Sequence, residues 1–160
     1  MRFLDHVRGR LSLGSRASCQ PPLIHVFKDG QKIYVPTTAK AKSGFFVDIE
    51  PIAVLGDDDV DGLADALASR MAGPLVLVGD QAFGQPAALL RHTRYTRWSQ
   101  VDQKMAKWAI EPIPQGWRLA RNHTRKEDRG VVYRQDSLAE LTGPVKSVAG
   151  EFARLLAVAS

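Results

Sequence analysis

The sequence predicts a single α+β domain in which two or three helices pack on a mixed or mostly antiparallel sheet of five or six strands. Three observations predict this class. Short β-rich runs flank glycine-containing turns, separate stretches carry apolar residues at helical spacing, and one strand–helix–strand succession lies between the hairpins. The chain has 160 residues, of which 44 % are hydrophobic, so it is long enough to bury one core.

The first strands are predicted as a hairpin. Residues 23–27 and 32–36 are both rich in β-branched and aromatic residues, and they flank Asp29 and Gly30. Asp-Gly between two such runs is a strong hairpin signal, because glycine adopts positive φ without strain. The polar stretch Thr37–Gly44 that follows is predicted to be a loop.

The middle of the chain predicts a strand, a helix and a second strand. Residues 45–49 alternate apolar with polar side chains, and 52–55 extend this strand beyond Pro51. The apolar positions of the next segment, from Val60 to Met71, follow helical spacing, and Gly73-Pro74 ends the helix. The apolar run 75–78 is then a buried strand, and the succession suggests a right-handed crossover unit.

The C-terminal half predicts two more helices and a hairpin. A helix is expected from Ser99 through Trp108, preceded by a possible short helix over 86–90, and a second hairpin is expected around Pro114-Gln115-Gly116. A last helix starts at Pro144, where the missing N–H of proline costs nothing. Between them, Asn122–Gly130 is expected to be a charged loop, followed by a short strand over 131–133.

Residues 1–20 are expected to form a flexible or amphipathic leader, with the folded domain spanning 21–160. Asp5 and Arg8 are among the polar residues that interrupt the leader, so it does not have the apolar core of a secretory signal. Cys19 is the one cysteine of the chain, which excludes an internal disulfide and a cysteine-based zinc site. No apolar run reaches the roughly 18 residues that span a bilayer. We therefore expect a cytoplasmic protein with no membrane partner.

The acidic run from Asp57 to Gly62 matches the opening D-x-D-x-D-G of a calcium-binding loop. The twelfth position of that loop requires a bidentate glutamate, and here it is Ala68. The alternative is that the aspartates cap a helix and complement its dipole. We favour the helix-capping interpretation, and we also consider these carboxylates a candidate contact surface.

The net charge of +5 conceals two segments of opposite sign. Residues 46–80 carry a net charge of −7, and residues 91–134 carry +7. In the basic segment, Arg91–Trp98 interleaves arginines with aromatic residues, a pattern found in single-stranded nucleic-acid platforms but also in solvated strands and protein interfaces. The residues that we expect to contact a partner are Asp57, Asp58, Asp59, Asp61, Arg91, Arg94, Arg97, Arg121 and Arg125.

No complete catalytic or metal-binding motif is found in the sequence. The four histidines have no helical i, i+3 or i+4 spacing, and P-loop, dinucleotide and H-E-x-x-H motifs are missing. We therefore expect no catalytic residues, no metal and no cofactor, and a binding function in place of an enzymatic one. An enzyme whose site is assembled from residues far apart in sequence is the weakest alternative.

Several segments resemble a known family of small bacterial proteins. Lys32–Thr37, Gly44–Pro51, Trp98-Ser99, Lys107–Ile110 and Gly116–Leu119 are similar to segments of immunity proteins of contact-dependent growth inhibition systems. The resemblance extends from Ile33 to Leu156. It implies a cytoplasmic protein that binds a cognate toxin domain, often a nuclease, and blocks it by occlusion. Such proteins share no catalytic residues, so the resemblance assigns none here.

These observations lead to one expected function and two alternatives. The expected function is a non-enzymatic immunity protein whose partner is a cognate toxin domain. The first alternative is a nucleic-acid-binding module that uses Arg91–Arg134, and the second is the enzyme with a dispersed site.

Overall fold

The described part of the chain contains eight strands and three α-helices, which form an α+β fold with a mostly antiparallel sheet. The structure, a computed structural model, describes residues 16–18, 20–84, 87–127 and 130–159. Side chains are described for 20–82, 87–123 and 135–159. The strands are β1 (Arg16–Ser18), β2 (Ile24–Asp29), β3 (Lys32–Ala41), β4 (Phe46–Gly56), β5 (Leu75–Val78), β6 (Ala106–Ile113), β7 (Gly116–Glu127) and β8 (Gly130–Leu141).

Strand β3 is the central strand of the sheet. The strand order is β1-β5-β3-β2-β6-β7-β8, and β4 pairs with the other edge of β3. The first residues of β3 pair with β2, and its last residues, Ala39–Ala41, pair with β5 in parallel. All other pairings are antiparallel. Strands β2 and β5 therefore pair with the same edge of β3, β2 along its first residues and β5 along its last. The sheet divides at the point where β2 stops pairing with β3.

The three α-helices are α1 (Val60–Ala72), α2 (Trp98–Lys104) and α3 (Val145–Val158). Helices α1 and α3 pack against each other and against one face of the sheet, where Leu67, Trp108 and Phe152 lie in the main core. Two 3₁₀ helices, Asp80–Gly84 and Ala88–Arg91, precede α2. No helix in the described part of the chain is long and apolar enough to cross a membrane.

The opposite face of the sheet is covered only in part. Leu89, Val101 and Met105, from the second 3₁₀ helix and the α2 region, pack against Phe27 and Tyr34. Side chains at alternate positions of a strand point to opposite faces, so the residues flanking Val26 and Ile110 point away from α1 and α3. Polar side chains of β2, β6 and β7 line the rest of this second face.

Both predicted hairpins are confirmed, as are α1, α3 and the buried strand β5. Phe27 pairs with Tyr34 around the Asp29-Gly30 turn, where Gly30 has φ +61°. Ile113 pairs with Gly116 in the second hairpin. The sheet has eight strands, more than the five or six expected, partly because Arg16–Ser18 pairs with β5. The rest of the leader lies outside the described residues.

The loop predicted over Thr37–Gly44 is wrong, because β3 continues to Ala41. A register shift between Val35 and Thr37 accommodates Pro36, which has no N–H to donate to a ladder. Thr38 is buried and hydrogen-bonded, so its polarity does not indicate exposure to solvent.

The helix predicted from Ser99 through Trp108 ends at Lys104, where Met105 adopts an extended backbone. Trp108 instead lies in β6, paired with Val26 and fully buried against α3. The apolar residues before Trp108 have helical spacing in the sequence, and this spacing gave the wrong prediction. In the fold, five residue pairs with β2 place this segment in a strand.

Two further predictions of topology are wrong. The charged stretch Asn122–Gly130 is not a loop, because Asn122–Glu127 continues β7 and pairs with β8. The expected parallel crossover between β4 and β5 does not form. Strand β5 is parallel to β3 and β4 is antiparallel to it, so β4 and β5 run in opposite directions.

Candidate partner-binding surface

One end of the sheet brings together much of the predicted contact surface. Lys32 pairs with Gly56, Lys28 with Ala106, and Lys107 with Asn122. The β2–β3 turn, the β4–α1 loop and the far part of β7 therefore lie at the same end. We call this the charged end, and it comprises residues 28–32, 56–61, 106–107 and 122–127.

The acidic loop between β4 and α1 is held in a defined conformation. The Asp57 N–H donates to the Gln31 carbonyl at 2.8 Å, and the Asp59 N–H donates to the Gly56 carbonyl at 3.2 Å. Asp59 is the N-cap of α1, and its Oδ1 accepts from the Gly62 N–H at 2.9 Å. The helix-capping interpretation is therefore confirmed for Asp59, since its carboxylate binds a backbone donor that the helix leaves unpaired.

The other three carboxylates of the loop have different surroundings. Asp57 Oδ2 lies 3.5 Å from the Lys28 Nζ, so its charge is partly neutralised. Asp58 and Asp61 are exposed, and neither belongs to any of the ion pairs found among the described side chains. Negative charge available to a partner is therefore greatest at Asp58 and Asp61.

Lys28 connects this loop to the C-terminus of α3. Its Nζ donates to the carbonyls of Ala157 at 3.1 Å and Ala159 at 2.8 Å, and only 11 % of its side chain is exposed. A cation there complements the negative end of the helix dipole and satisfies carbonyls that the helix leaves unpaired. Sequence reasoning missed this residue, because its partners lie about 130 residues away along the chain.

A groove of about 430 Å³ runs beside the acidic loop. Val54, which is 43 % exposed, and Leu55 form its apolar part, while Asp57 and Asp58 supply carboxylates. The groove is completed by Gln31, Lys32 and Gly56. An apolar wall beside carboxylates suits the aliphatic part and the cationic group of a partner's lysine or arginine.

Three of the predicted arginines lie on the segment that covers the second face of the sheet. The Arg94 guanidinium is 3.2 Å from Asp29 Oδ1 and lies 5.3 Å from the centre of the Tyr95 ring. Asp29 belongs to the charged end, so Arg94 reaches it from the side opposite α1. Arg91 and Arg97 are exposed, and the Arg97 N–H donates to Gln100 Oε1 at the start of α2.

The two remaining arginines are separated from these. Arg121 lies on the helix-covered face, with its guanidinium 5.3 Å from the Trp108 ring centre, which favours a structural cation–π contact. Arg125 is in the part of β7 that extends beyond β6, and its side chain lies outside the described ones. The nine predicted residues are therefore not one surface. The four aspartates and Arg94 meet at the charged end.

The structure reveals a polar cluster that the sequence did not predict, at the point where β2 diverges from β3. His25 Nδ1 lies 2.8 Å from Asp48 Oδ1, and the Thr38 hydroxyl donates to the same oxygen at 3.2 Å. The His25 N–H donates to Thr38 Oγ1 at 3.3 Å, where a ladder bond between the strands would otherwise form. His25 is next to Val26 in β2, so its side chain lies on the second face of the sheet.

Electrostatics favours the protonated form of His25. Burial alone would lower the pKa of the imidazole. The Asp48 carboxylate and, more weakly, Glu111 raise it, and together they outweigh the effect of burial. The pKa of His25 therefore lies above its ordinary value. The pair links β2 to β4, and 23 % of the histidine side chain remains exposed.

A second polar group adjoins the first on the same face. Glu111 accepts from Arg118 Nη2 and, at 2.6 Å, from Gln135 Nε2. Glu111 in β6 thereby binds one side chain of the neighbouring strand β7 and one of β8, the strand beyond it. Burial raises the pKa of Glu111, but hydrogen bonds from Gln135 and Arg118 lower it more, so the net shift is downward.

The polar side chains of this face mostly bind one another. Histidine, carboxylate and arginine can perform acid–base chemistry when they converge on open space. Here Nδ1 of His25 is bound to Asp48, and both carboxylate oxygens of Glu111 have protein donors. Within the described ranges no group of three or more histidine, cysteine or acidic side chains could hold a metal ion. The contacts among these side chains therefore hold neighbouring strands of the sheet together.

Comparison with known proteins gives a likeness in fold. Neither protein-family models nor curated proteins match the chain significantly. A solved structure described as a protein of unknown function, NMB0488 from Neisseria meningitidis, is similar with a TM-score of 0.54 and 14 % sequence identity. The alignment covers 87 % of this chain and 94 % of that one. At this identity the likeness shows a shared fold and nothing about function.

Proposed function

We propose that the protein is a non-enzymatic binding protein, specifically a cytoplasmic immunity protein that occludes a cognate toxin domain. The observation that carries the proposal is the pair Asp58 and Asp61, exposed on a loop whose backbone is held by hydrogen bonds to Gln31 and Gly56. A rigid charged surface loses little conformational entropy on binding, which favours recognition. The family resemblance of the sequence supplies the class of partner.

The groove beside the loop supports contact with a basic partner. A lysine or arginine of the toxin would place its aliphatic part against Val54 and Leu55 and its charge beside Asp58. Nucleases carry basic clefts for phosphate, so an acidic surface is complementary to them. The net charge of the whole chain is positive, but complementarity depends on the contact surface alone.

The proposal requires that a neighbouring gene encodes the cognate toxin domain, and association kinetics with that domain test it. An acidic contact surface should give an association rate that falls as salt increases, because screening shortens the reach of the charges. Asp58→Asn with Asp61→Asn should lower that rate at low salt and flatten its salt dependence. Glu140→Asn with Glu151→Asn removes the same charge from exposed positions elsewhere and serves as the control. Equal rates for both double variants would contradict contact at the acidic loop.

Nucleic-acid binding is the second candidate, and one observation favours it. Strands β7 and β8 extend beyond β6 as a two-stranded arm, whose sequence includes Arg125, Lys126 and Arg134. Binding of single-stranded RNA should then weaken with salt, with log K falling by about 0.7 for each neutralised phosphate per tenfold increase in salt. A gel shift that shows no retarded species at low salt would exclude this candidate.

A further inference from the structure

The turn between β3 and β4 exposes two aromatic side chains at the end of the sheet opposite the charged end. Phe45 is 68 % exposed and Phe46 40 % exposed, and they lie between Lys40 and Lys42 on one side and Asp48 on the other. We call residues 40–46 the aromatic tip. Large apolar side chains exposed together usually mark a site of interaction.

Hydrogen bonds hold the aromatic tip, so the exposure of its rings is not a result of a loose loop. The Ala41 N–H donates to the Phe45 carbonyl at 2.7 Å, and the Gly44 N–H donates to the Ala41 carbonyl at 2.8 Å. Gly44 has φ +95°, which L side chains rarely adopt. The Lys42 N–H donates to the Val78 carbonyl at 3.1 Å, and the Ser43 N–H to Asp80 Oδ1 at 2.8 Å.

Two lysines lie beside the rings of the aromatic tip. Lys40 Nζ lies 5.9 Å from the Phe46 ring centre, and Lys42 is exposed. The Asp80 carboxylate, which accepts from the Ser43 N–H, stays charged and offsets one of these two cations, so one net positive charge remains among the three groups. The acidic loop lies at the far end of β3, about 30 Å away at roughly 3.3 Å per residue. An anionic surface that meets the tip therefore avoids the acidic loop.

The chain also enters the sheet at the end that carries the tip. Strand β1 begins at Arg16, which pairs with Leu77, and Leu77 pairs in turn with Lys40. The sequence before β1 contains Arg2, Arg8 and Arg10 against one acidic residue, Asp5, and after Met1 it has five large apolar residues, Phe3, Leu4, Val7, Leu11 and Leu13. The composition of this stretch therefore does not oppose an anionic target at this end of the sheet.

We propose that the aromatic tip is a docking site for an anionic membrane surface, with Phe45 and Phe46 entering the interface and Lys40 and Lys42 meeting lipid headgroups. Apolar side chains combined with flanking cations bind such surfaces. A single-stranded nucleic acid is a less favoured partner for the tip. Its bases stack on a row of aromatic rings, whereas consecutive side chains at the start of a strand point to opposite faces and do not form such a row. The proposal goes beyond the immunity function and departs from the expectation of no membrane partner.

Sedimentation with vesicles of equal parts phosphatidylglycerol and phosphatidylcholine tests the proposal on the full chain. We expect binding that is lost in vesicles of phosphatidylcholine alone and in high salt. Phe45→Ser with Phe46→Ser should reduce binding to the level of the neutral vesicles. Lys40→Gln with Lys42→Gln should weaken it about 25-fold, at roughly fivefold for each lysine.

Matched variants at the other end of the sheet serve as controls. Val158→Ser removes an apolar side chain that is 83 % exposed, and Lys32→Gln with Lys104→Gln removes two exposed cations. Both control variants should bind anionic vesicles as the wild type does, with unchanged circular dichroism. No sedimentation of the wild type, or equal sedimentation of the phenylalanine variant, would overturn the proposal. So would binding of a thymidine oligonucleotide that depends on Phe45 and Phe46 without vesicle binding.

The proposal of toxin binding at the acidic loop and the proposal of membrane docking at the aromatic tip are tested by different variants, so either one can fail without the other. Asp58→Asn with Asp61→Asn should leave vesicle binding unchanged, and the phenylalanine variant should leave the association rate with the toxin domain unchanged.

Discussion

The imidazole of His25 lies 2.8 Å from the carboxylate of Asp48, so a side chain of β2 reaches across β3 to a side chain of β4. The link is needed because β3 leaves β2 after Tyr34 and pairs with β5 instead. Thr38, which bonds both the His25 N–H and Asp48, completes the connection at this division of the sheet.

Stability should depend on the charge of His25. Its pKa is raised in the folded state, so its contribution is fully present below the ordinary histidine pKa of about 6.5. The contribution is lost as the pH rises through the folded pKa. We therefore expect the unfolding free energy to decrease over that range, measured by urea titration. His25→Gln should show a smaller decrease, and an identical pH dependence in both proteins would contradict the role of the pair.

Lys28 should stabilise the domain through the C-terminus of α3. Lys28→Met keeps the length of the side chain but removes the donor to the Ala157 and Ala159 carbonyls and the partner of Asp57. We expect a loss of about 1–3 kcal/mol in the unfolding free energy. Lys32→Met, at an exposed position of the same hairpin, should cost much less. Equal losses would indicate that the carbonyl contacts contribute nothing.

The aspartates of the acidic loop should cap a helix without binding calcium. Asp59→Ala removes the acceptor of the Gly62 N–H and should cost about 1 kcal/mol in a thermal melt, whereas Asp58→Ala should be close to neutral. Calorimetry with millimolar Ca²⁺ should show no binding heat, because the loop has no glutamate at its twelfth position. A site of micromolar affinity would contradict this interpretation.

Local sequence signals predicted what depends on neighbouring residues. The Asp29-Gly30 turn, the capping by Asp59 and the buried strand over 75–78 were all readable from short spacing. Trp108 was misassigned, because a strand inserted between β2 and β7 is determined by partners distant in sequence. The link from His25 to Asp48 was missed for the same reason, since neither residue has a local motif.

The sequence indicated which residues carry charge, but it did not show which of them lie together in the fold. The aspartates from 57 to 61 form one loop because they are adjacent in sequence. The arginines are distributed over both faces, since Arg94 and Arg121 lie on different elements. The contribution of Lys28 depends on the three-dimensional approach of α3. Charge counts along the chain therefore indicated that a charged surface exists, and only the fold shows which charges share it.

The central claim is that the acidic loop binds the toxin domain, and a protection assay tests it most directly. Cells that express a toxin domain encoded by a neighbouring gene, which the proposal requires, should survive with the wild-type protein and die with Asp58→Lys and Asp61→Lys together. Glu140→Lys with Glu151→Lys makes the same change in net charge elsewhere and should still protect. Circular dichroism and a melting curve show that each variant is folded. Full protection by the Asp58 and Asp61 double variant, or no protection by the wild type, would contradict the account.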